Sequence, residues 1–218
     1  MTESQLREEI CRVGASLYAR GYVHASAGNI SVRLPDSAGY LITPTDACLG
    51  QLDPATLAKV DAHGVQSSGA RASKTLLLHR AIYGADAEAG CVIHSHSIHL
   101  VALTLTGVWQ PDDILPPITP YFVMKVGHVP LIPYHRPGDP AVGPLVAQRI
   151  ASMQQRGTPI RAVMLDRLGP NVWHRSPAEA SAVLEELEET AHLWQLTRAN
   201  PLTEDQIQTL RDSFGAAW

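Results

Sequence analysis

The chain has 218 residues, 45% of them hydrophobic, which suits a domain with a sizeable core and excludes a disordered chain. Lys and Arg number 17 against 21 Asp and Glu, and the net charge of −4 gives no electrostatic basis for binding nucleic acid. Three widely spaced cysteines, Cys11, Cys48 and Cys91, exclude a CxxC or zinc-ribbon arrangement and point to a reducing compartment. Met1 to Arg12 are polar and charged, unlike a signal peptide, and no apolar run reaches the roughly 18 residues of a membrane span. The expected location is the cytoplasm, and the expected organisation is one domain over residues 1–218.

Leu6, Ile10, Val13 and Leu17 recur at helical spacing, with Thr2 and Gln5 placed for a capping box and Gly21 for a stop. They predict a helix from about Ser4 to Arg20. Asn29 to Leu34 alternates, and Tyr40 to Thr43 answers it across Pro-Asp-Ser-Ala-Gly as a hairpin-like pair. Ala62 to Ala72 is rich in Gly and Ser and reads as a loop. Ser73 then caps a helix carrying Leu77, Leu78, Ala81 and Ile82.

Gly90 to His96 is a compact apolar strand, and a helix runs from Ser97 through Leu105. Trp109 to Pro120 is a proline-rich loop. His128 to Pro133 is a strand that its prolines place near an edge. Gly138-Asp139-Pro140 turns into a helix ending near Gly157. Ile160 to Leu165 and Asn171 to His174 are further strands. Ser176-Pro177-Ala178-Glu179 starts a helix to about Thr197, and Thr203 to Gln206 starts a short last one. Helices interspersed with short strands make an α/β sandwich the economical architecture.

Three constellations carry possible chemistry. In His94-Ser95-His96 the two imidazoles share one face of a strand, where they can converge on a divalent metal, or else be two partly exposed histidines at a strand end. His24 to Ser31 contains small residues and Asn29, and is followed by Thr43-Pro44-Thr45. This reads as an anion cradle or as an ordinary Gly-Asn turn. Ala72-Ser73-Lys74-Thr75 opens a helix, either as an anion site or as a plain cap with a solvated lysine. His79 reads as a satisfied, partly buried histidine, His99 as a structural group, and His128 and His135 as surface groups. Trp173 and Trp194 read as core or interface aromatics, Cys91 as a small buried hydrophobe. Glu185-Glu186-Leu187-Glu188-Glu189 reads as a solvated helix face.

The order of these pieces, together with Thr119 to Met124 and Arg136-Pro137-Gly138-Asp139-Pro140, resembles the class II aldolase/adducin family from about Leu6 to Thr197. It looks closest to the 3-oxo-tetronate 4-phosphate decarboxylase branch and more distantly like L-fuculose-phosphate aldolase. The resemblance implies a three-layer α/β fold, with a central, mainly antiparallel sheet and helices on both faces. It implies a homotetramer with sites between subunits. A phosphate pocket at Gly28, Asn29, Thr45, Ser73 and Lys74 also follows from it. So does a divalent metal, zinc by preference, on His94, His96 and a third histidine.

Three positions depart from the family pattern. Leu168 stands where the third histidine precedes a glycine, Thr75 stands where the acid/base glutamate is expected, and Asp46 replaces the glycine after Thr45. Leucine cannot ligate, so Asp166, His174 or His24 would have to close a metal site. Threonine cannot do the acid/base work of a tuned carboxylate, and Asp46 would repel a nearby phosphate. Decarboxylation of a β-keto acid needs no base, so the change at Thr75 hurts it less than it hurts an aldol cleavage, and water or Tyr121 can deliver the proton. The implied function is a metal-dependent carbon–carbon lyase on a small phosphorylated sugar acid. The alternatives are a non-catalytic paralogue and a lyase with a changed, unphosphorylated substrate.

Overall fold

The computed structural model describes residues 1–35 and 38–218, so Asp36 and Ser37 of the expected 35–39 turn lie outside the described residues. Eight strands form one sheet in the order β4-β3-β2-β1-β5-β8-β7-β6. They are β1 (Asn29–Arg33), β2 (Tyr40–Ile42), β3 (Ala58–Val60), β4 (Gln66–Ser68), β5 (Cys91–His94), β6 (Leu131–Ile132), β7 (Ala162–Leu165) and β8 (Gly169–His174). Every pairing is antiparallel except β6 with β7.

Among the described residues there are six α-helices, the first five of which cover the two faces: α1 (Glu3–Ala19), α2 (Leu76–Ala85), α3 (Ile98–Thr106), α4 (Val142–Gln155), α5 (Pro177–Thr197) and α6 (Glu204–Phe214). On one face Ile10 and Leu17 of α1, Leu100 of α3 and Leu184 of α5 pack on Ile30, Ile93 and Val172. On the other, Ile82 of α2 and Val146 and Ile150 of α4 pack on Val92, Val163 and Trp173. Alternation along β5 explains the division, since successive side chains of a strand point to opposite faces. Among the described residues no helix is long and apolar enough to cross a membrane.

The helix starts follow their local chemistry. Thr2 and Gln5 close the capping box of α1, Thr203 and Gln206 that of α6, and Ser176 with Pro177 opens α5. The Gly- and Ser-rich 62–72 stretch holds a strand, however. β4 is a fully exposed Gln-Ser-Ser edge with no apolar alternation, and it pairs with the three-residue β3, so neither had a hydrophobic period to show. A π-helical turn over Phe122–Val126 likewise follows the proline-rich loop. Helix α2 starts at Leu76, later than a cap at Ser73 predicts; the Ser73 hydroxyl instead meets the Thr75 hydroxyl at 2.9 Å.

Two polar residues differ from their expected roles. Glu188, in the acidic run expected to face solvent, is only 3% exposed. Its carboxylate accepts from the backbone N–H of His99 and Leu100 and pairs with the His99 ring at 2.8 Å. It thus caps the N-terminus of α3 from α5, where a partly buried anion contributes up to about 2 kcal/mol. His79, expected to be partly buried and satisfied, is fully buried under the sheet. Its Nδ1 lies 2.7 Å from Ser31 Oγ, which also meets Tyr83 Oη, while Nε2 has no partner.

Burial, with a smaller contribution from His94, pushes the His79 imidazole down to about 3. An unfolded chain takes up that proton near 6.5, so between about 6.5 and 3 the unfolded state binds more protons and stability falls as pH falls. The expected slope is up to roughly 1.4 kcal/mol per pH unit for this group. Chemical denaturation with chelator present, at pH 7, 6 and 5, should show the loss, and His79→Gln should lower its slope, leaving the part that buried His94 contributes; an equal slope in the variant would refute the assignment.

Candidate active site

The tip of β5 carries the site. Antiparallel register sets His94 opposite Asn29 of β1 on one side and Asn171 of β8 on the other, so three polar side chains share one sheet face. Two glycines let the neighbouring backbones come this close. A Cβ at Gly28, whose φ is +82°, would lie 2.9 Å from the His94 carbonyl oxygen, and one at Gly169, with φ +135°, would lie 2.0 Å from that of Ser95.

His94 is buried, and its Nδ1 donates to the Pro170 carbonyl at 2.9 Å. That bond fixes the tautomer and leaves Nε2 with a free lone pair, as a metal-ligating histidine requires. Burial and the adjacent His96 push the imidazole down to about 4, against the Pro170 carbonyl, so it is neutral at physiological pH. The His94 and His96 ring centres are 5.0 Å apart. Two imidazoles sharing a tetrahedral ion at about 2.0–2.1 Å have centres about 5 Å apart, so the pair fits one metal position.

The candidates for closing that set separate. His174 is at the far end of β8, bonded to Arg161 and Glu179. His24 lies edge-on to His96 with centroids 6.1 Å apart and is exposed. Asp166 lines the same cavity as His94. Among the described residues no group of three His, Cys, Asp or Glu side chains converges on one ion position. Leu168, expected at a ligand position, packs against the apolar cluster between the sheet and α2 and α4.

The cavity has a volume of about 320 Å³. His94 and Asn171 are among its buried members, Thr75 and Asp166 are half-buried, and Lys74 and Arg136 are exposed at its rim. The expected phosphate residues come from segments that meet beside it. Thr43 Oγ1 accepts from the Ile30 N–H at 3.2 Å, next to Asn29. The Thr45 N–H reaches the Arg71 carbonyl at 2.9 Å and the Ser73 N–H that of Thr43 at 3.3 Å, which draws Gly28, Asn29, Thr45 and Ser73 to one end of the sheet. Tyr121 is 62% exposed and outside the cavity lining.

Asn171, which lines this cavity, is not among the residues singled out from the sequence. Its signal was one polar amide inside an otherwise apolar strand, Gly-Pro-Asn-Val-Trp-His. Asn171 is fully buried and neither amide atom has a hydrogen-bond partner, and Asn29 Oδ1 is also unpartnered. Each such group costs about 1–3 kcal/mol of folding free energy.

Known proteins resemble this chain in sequence and fold. The Class II Aldolase and Adducin N-terminal domain matches residues 8–195. A 3-oxo-tetronate 4-phosphate decarboxylase of Cupriavidus necator is 60% identical over 100% of this chain and 99% of its own. One from Escherichia coli K12 is 42% identical over 96% of each chain. The crystal structure of YgbL from Escherichia coli, described as an aldolase/epimerase/decarboxylase, superposes with a TM-score of 0.86 at 42% identity, over 96% of this chain and 99% of that one. L-fuculose-1-phosphate aldolase of Thermus thermophilus superposes with a TM-score of 0.74 at 25% identity, over 91% and 98%. The chain belongs to the class II aldolase and adducin family.

Proposed function

We propose that the chain is a carbon–carbon lyase that decarboxylates 3-oxo-tetronate 4-phosphate to dihydroxyacetone phosphate and carbon dioxide. The proposal includes a homotetramer with sites between subunits and a divalent metal, zinc by preference, at His94 and His96. The observation that carries it is the neutral, tautomer-fixed His94 at the floor of a cavity with Lys74 and Arg136 at its rim. Near-full-length relatives named decarboxylases favour this over a non-catalytic role.

The chain's own groups divide the work. Lys74 and Arg136 offer positive charge to the substrate's phosphate and carboxylate, and Gly28, Asn29, Thr45 and Ser73 form the phosphate end. When bound, the divalent ion supplies a Lewis acid that polarises the hydroxyl and keto oxygens. Thr75 holds its hydroxyl against Ser73 and moves no proton at neutral pH. That is sufficient for decarboxylation, in which the leaving carbon dioxide generates the carbanion without a base. Water protonates the carbon; Tyr121, exposed on this chain, takes part only where a second copy presents it at the site.

Elemental analysis of protein purified without a histidine tag or chelator should find about one divalent ion per subunit, and much less in His94→Ala. Protein that is metal-free and takes up no added zinc would sink the Lewis-acid mechanism. Thr75→Glu places a carboxyl group in the cavity and should raise the decarboxylation rate at least about tenfold by delivering the proton; an unchanged rate with metal bound would count against that role.

Asp46 occupies left-handed backbone at φ 58° just after Thr45, where glycine is unstrained. Asp46→Gly should raise Tm by roughly 2–4 °C and, by removing a carboxylate from the phosphate end, tighten competition by inorganic phosphate. Unchanged phosphate competition, with weaker binding of an unphosphorylated sugar acid, would favour the unphosphorylated substrate instead.

A further inference from the structure

Asn171 is the polar group whose position the fold explains least. It is fully buried on β8, beside His94 in register, and lines the same cavity. Its Nδ2 and Oδ1 both lack a partner, whereas most buried side-chain amides are satisfied. Its cross-strand neighbours are Val163 of β7 and His94 of β5, Val172 and Trp173 follow it, and none of them bonds to its amide. An aliphatic side chain would satisfy this environment at no hydrogen-bonding cost, so the amide is retained against folding stability.

An amide offers one acceptor and two donor hydrogens from adjacent atoms. Its complement is a ligand fragment with a carbonyl next to a hydroxyl. We propose that Asn171 is a substrate-contacting residue that recognises the hydroxy-oxo portion of a small sugar acid: Nδ2–H donates to the keto oxygen and Oδ1 accepts from the neighbouring hydroxyl. This rests on the decarboxylase reading above.

The contact also acts in the reaction. As the bond to the carboxylate breaks, its electron pair forms a carbon–carbon double bond and the carbonyl π pair moves onto the keto oxygen. Carbon dioxide leaves, and water protonates the carbon as the carbonyl re-forms. The donor at Nδ2 faces the oxygen that becomes negative, so its hydrogen bond strengthens in the transition state, as oxyanion donors do. Beside an ion site from which Leu168 removes one ligand position, Asn171 supplies part of that charge stabilisation from the protein.

The test uses Asn171→Val, close in volume and suited to a strand, with Asn171→Ala as a second variant should valine not be accommodated. The probes are D-erythronate 4-phosphate, which lacks the keto group and cannot decarboxylate, and unphosphorylated erythronate. Asn171→Val should raise the Tm of the ligand-free protein by about 2–4 °C. It should weaken binding of both probes tenfold or more, and lower the decarboxylation kcat about 100-fold, with a smaller change in KM. Asn171→Ala should show the same losses of affinity and kcat. Wild-type affinity and kcat in both variants would overturn the role of Asn171 and leave the decarboxylase reading standing. A wild-type protein that binds neither probe and releases no carbon dioxide from the 3-oxo acid would overturn that reading and the role of Asn171 with it.

Discussion

The approach of two backbones to the His94–Ser95 segment sets the rest of the site. Gly28 lies against the His94 carbonyl and Gly169 against that of Ser95, both with positive φ and with no room for a Cβ. Because β1 and β8 close on β5 from both sides, Asn29, His94 and Asn171 fall in one row, and the Pro170 carbonyl reaches the His94 ring. A side chain at either glycine would push a strand away and detach the imidazole from the carbonyl that fixes its tautomer. Backbone sterics, rather than any one polar contact, hold the chemistry in place.

Among the described residues the unsatisfied buried side-chain polar atoms are not scattered. Asn29 Oδ1, His79 Nε2 and both amide atoms of Asn171 belong to residues on or against the His94 face of the sheet, while the opposite face is packed with Ile, Leu and Val. A fold that spends stability in one place usually does so where it binds something. The large apolar layers under α1, α3 and α5 and under α4 supply the surplus that makes this tolerable.

The departures expected at Leu168 and Thr75 fit the least demanding chemistry proposed for the site. Leu168 has joined the apolar cluster near α2 and α4, and Thr75 has become part of a hydroxyl pair with Ser73. Leucine cannot ligate an ion, and threonine cannot shuttle a proton at neutral pH. A β-keto acid loses carbon dioxide once its developing oxyanion is stabilised, so a neutral histidine pair and positive charge at the rim retain most of what that reaction needs.

The helices were legible because their signals are local. The capping boxes at Thr2 and Thr203 and the Ser176-Pro177 start bond within one turn, and the apolar period of α1 is written in consecutive residues. The histidine pair was legible too, as two imidazoles two residues apart at the end of an apolar run, although β5 ends at His94 and His96 lies just beyond it. The edge pair β3 and β4 was not, because exposed Gln-Ser-Ser has no apolar period and exists as a strand only through its partner. Nor could sequence alone assign Glu188, an acidic residue among acidic residues, to the N-terminus of α3, 88 residues away. The roles of His79 and Asn171 depend on which side chains from distant segments share their burial, and spacing along the chain carries no information about that. The sequence determined the helices, the central strands and the pieces of the site; long-range register and close backbone approach decided the edge strands and which of those pieces meet.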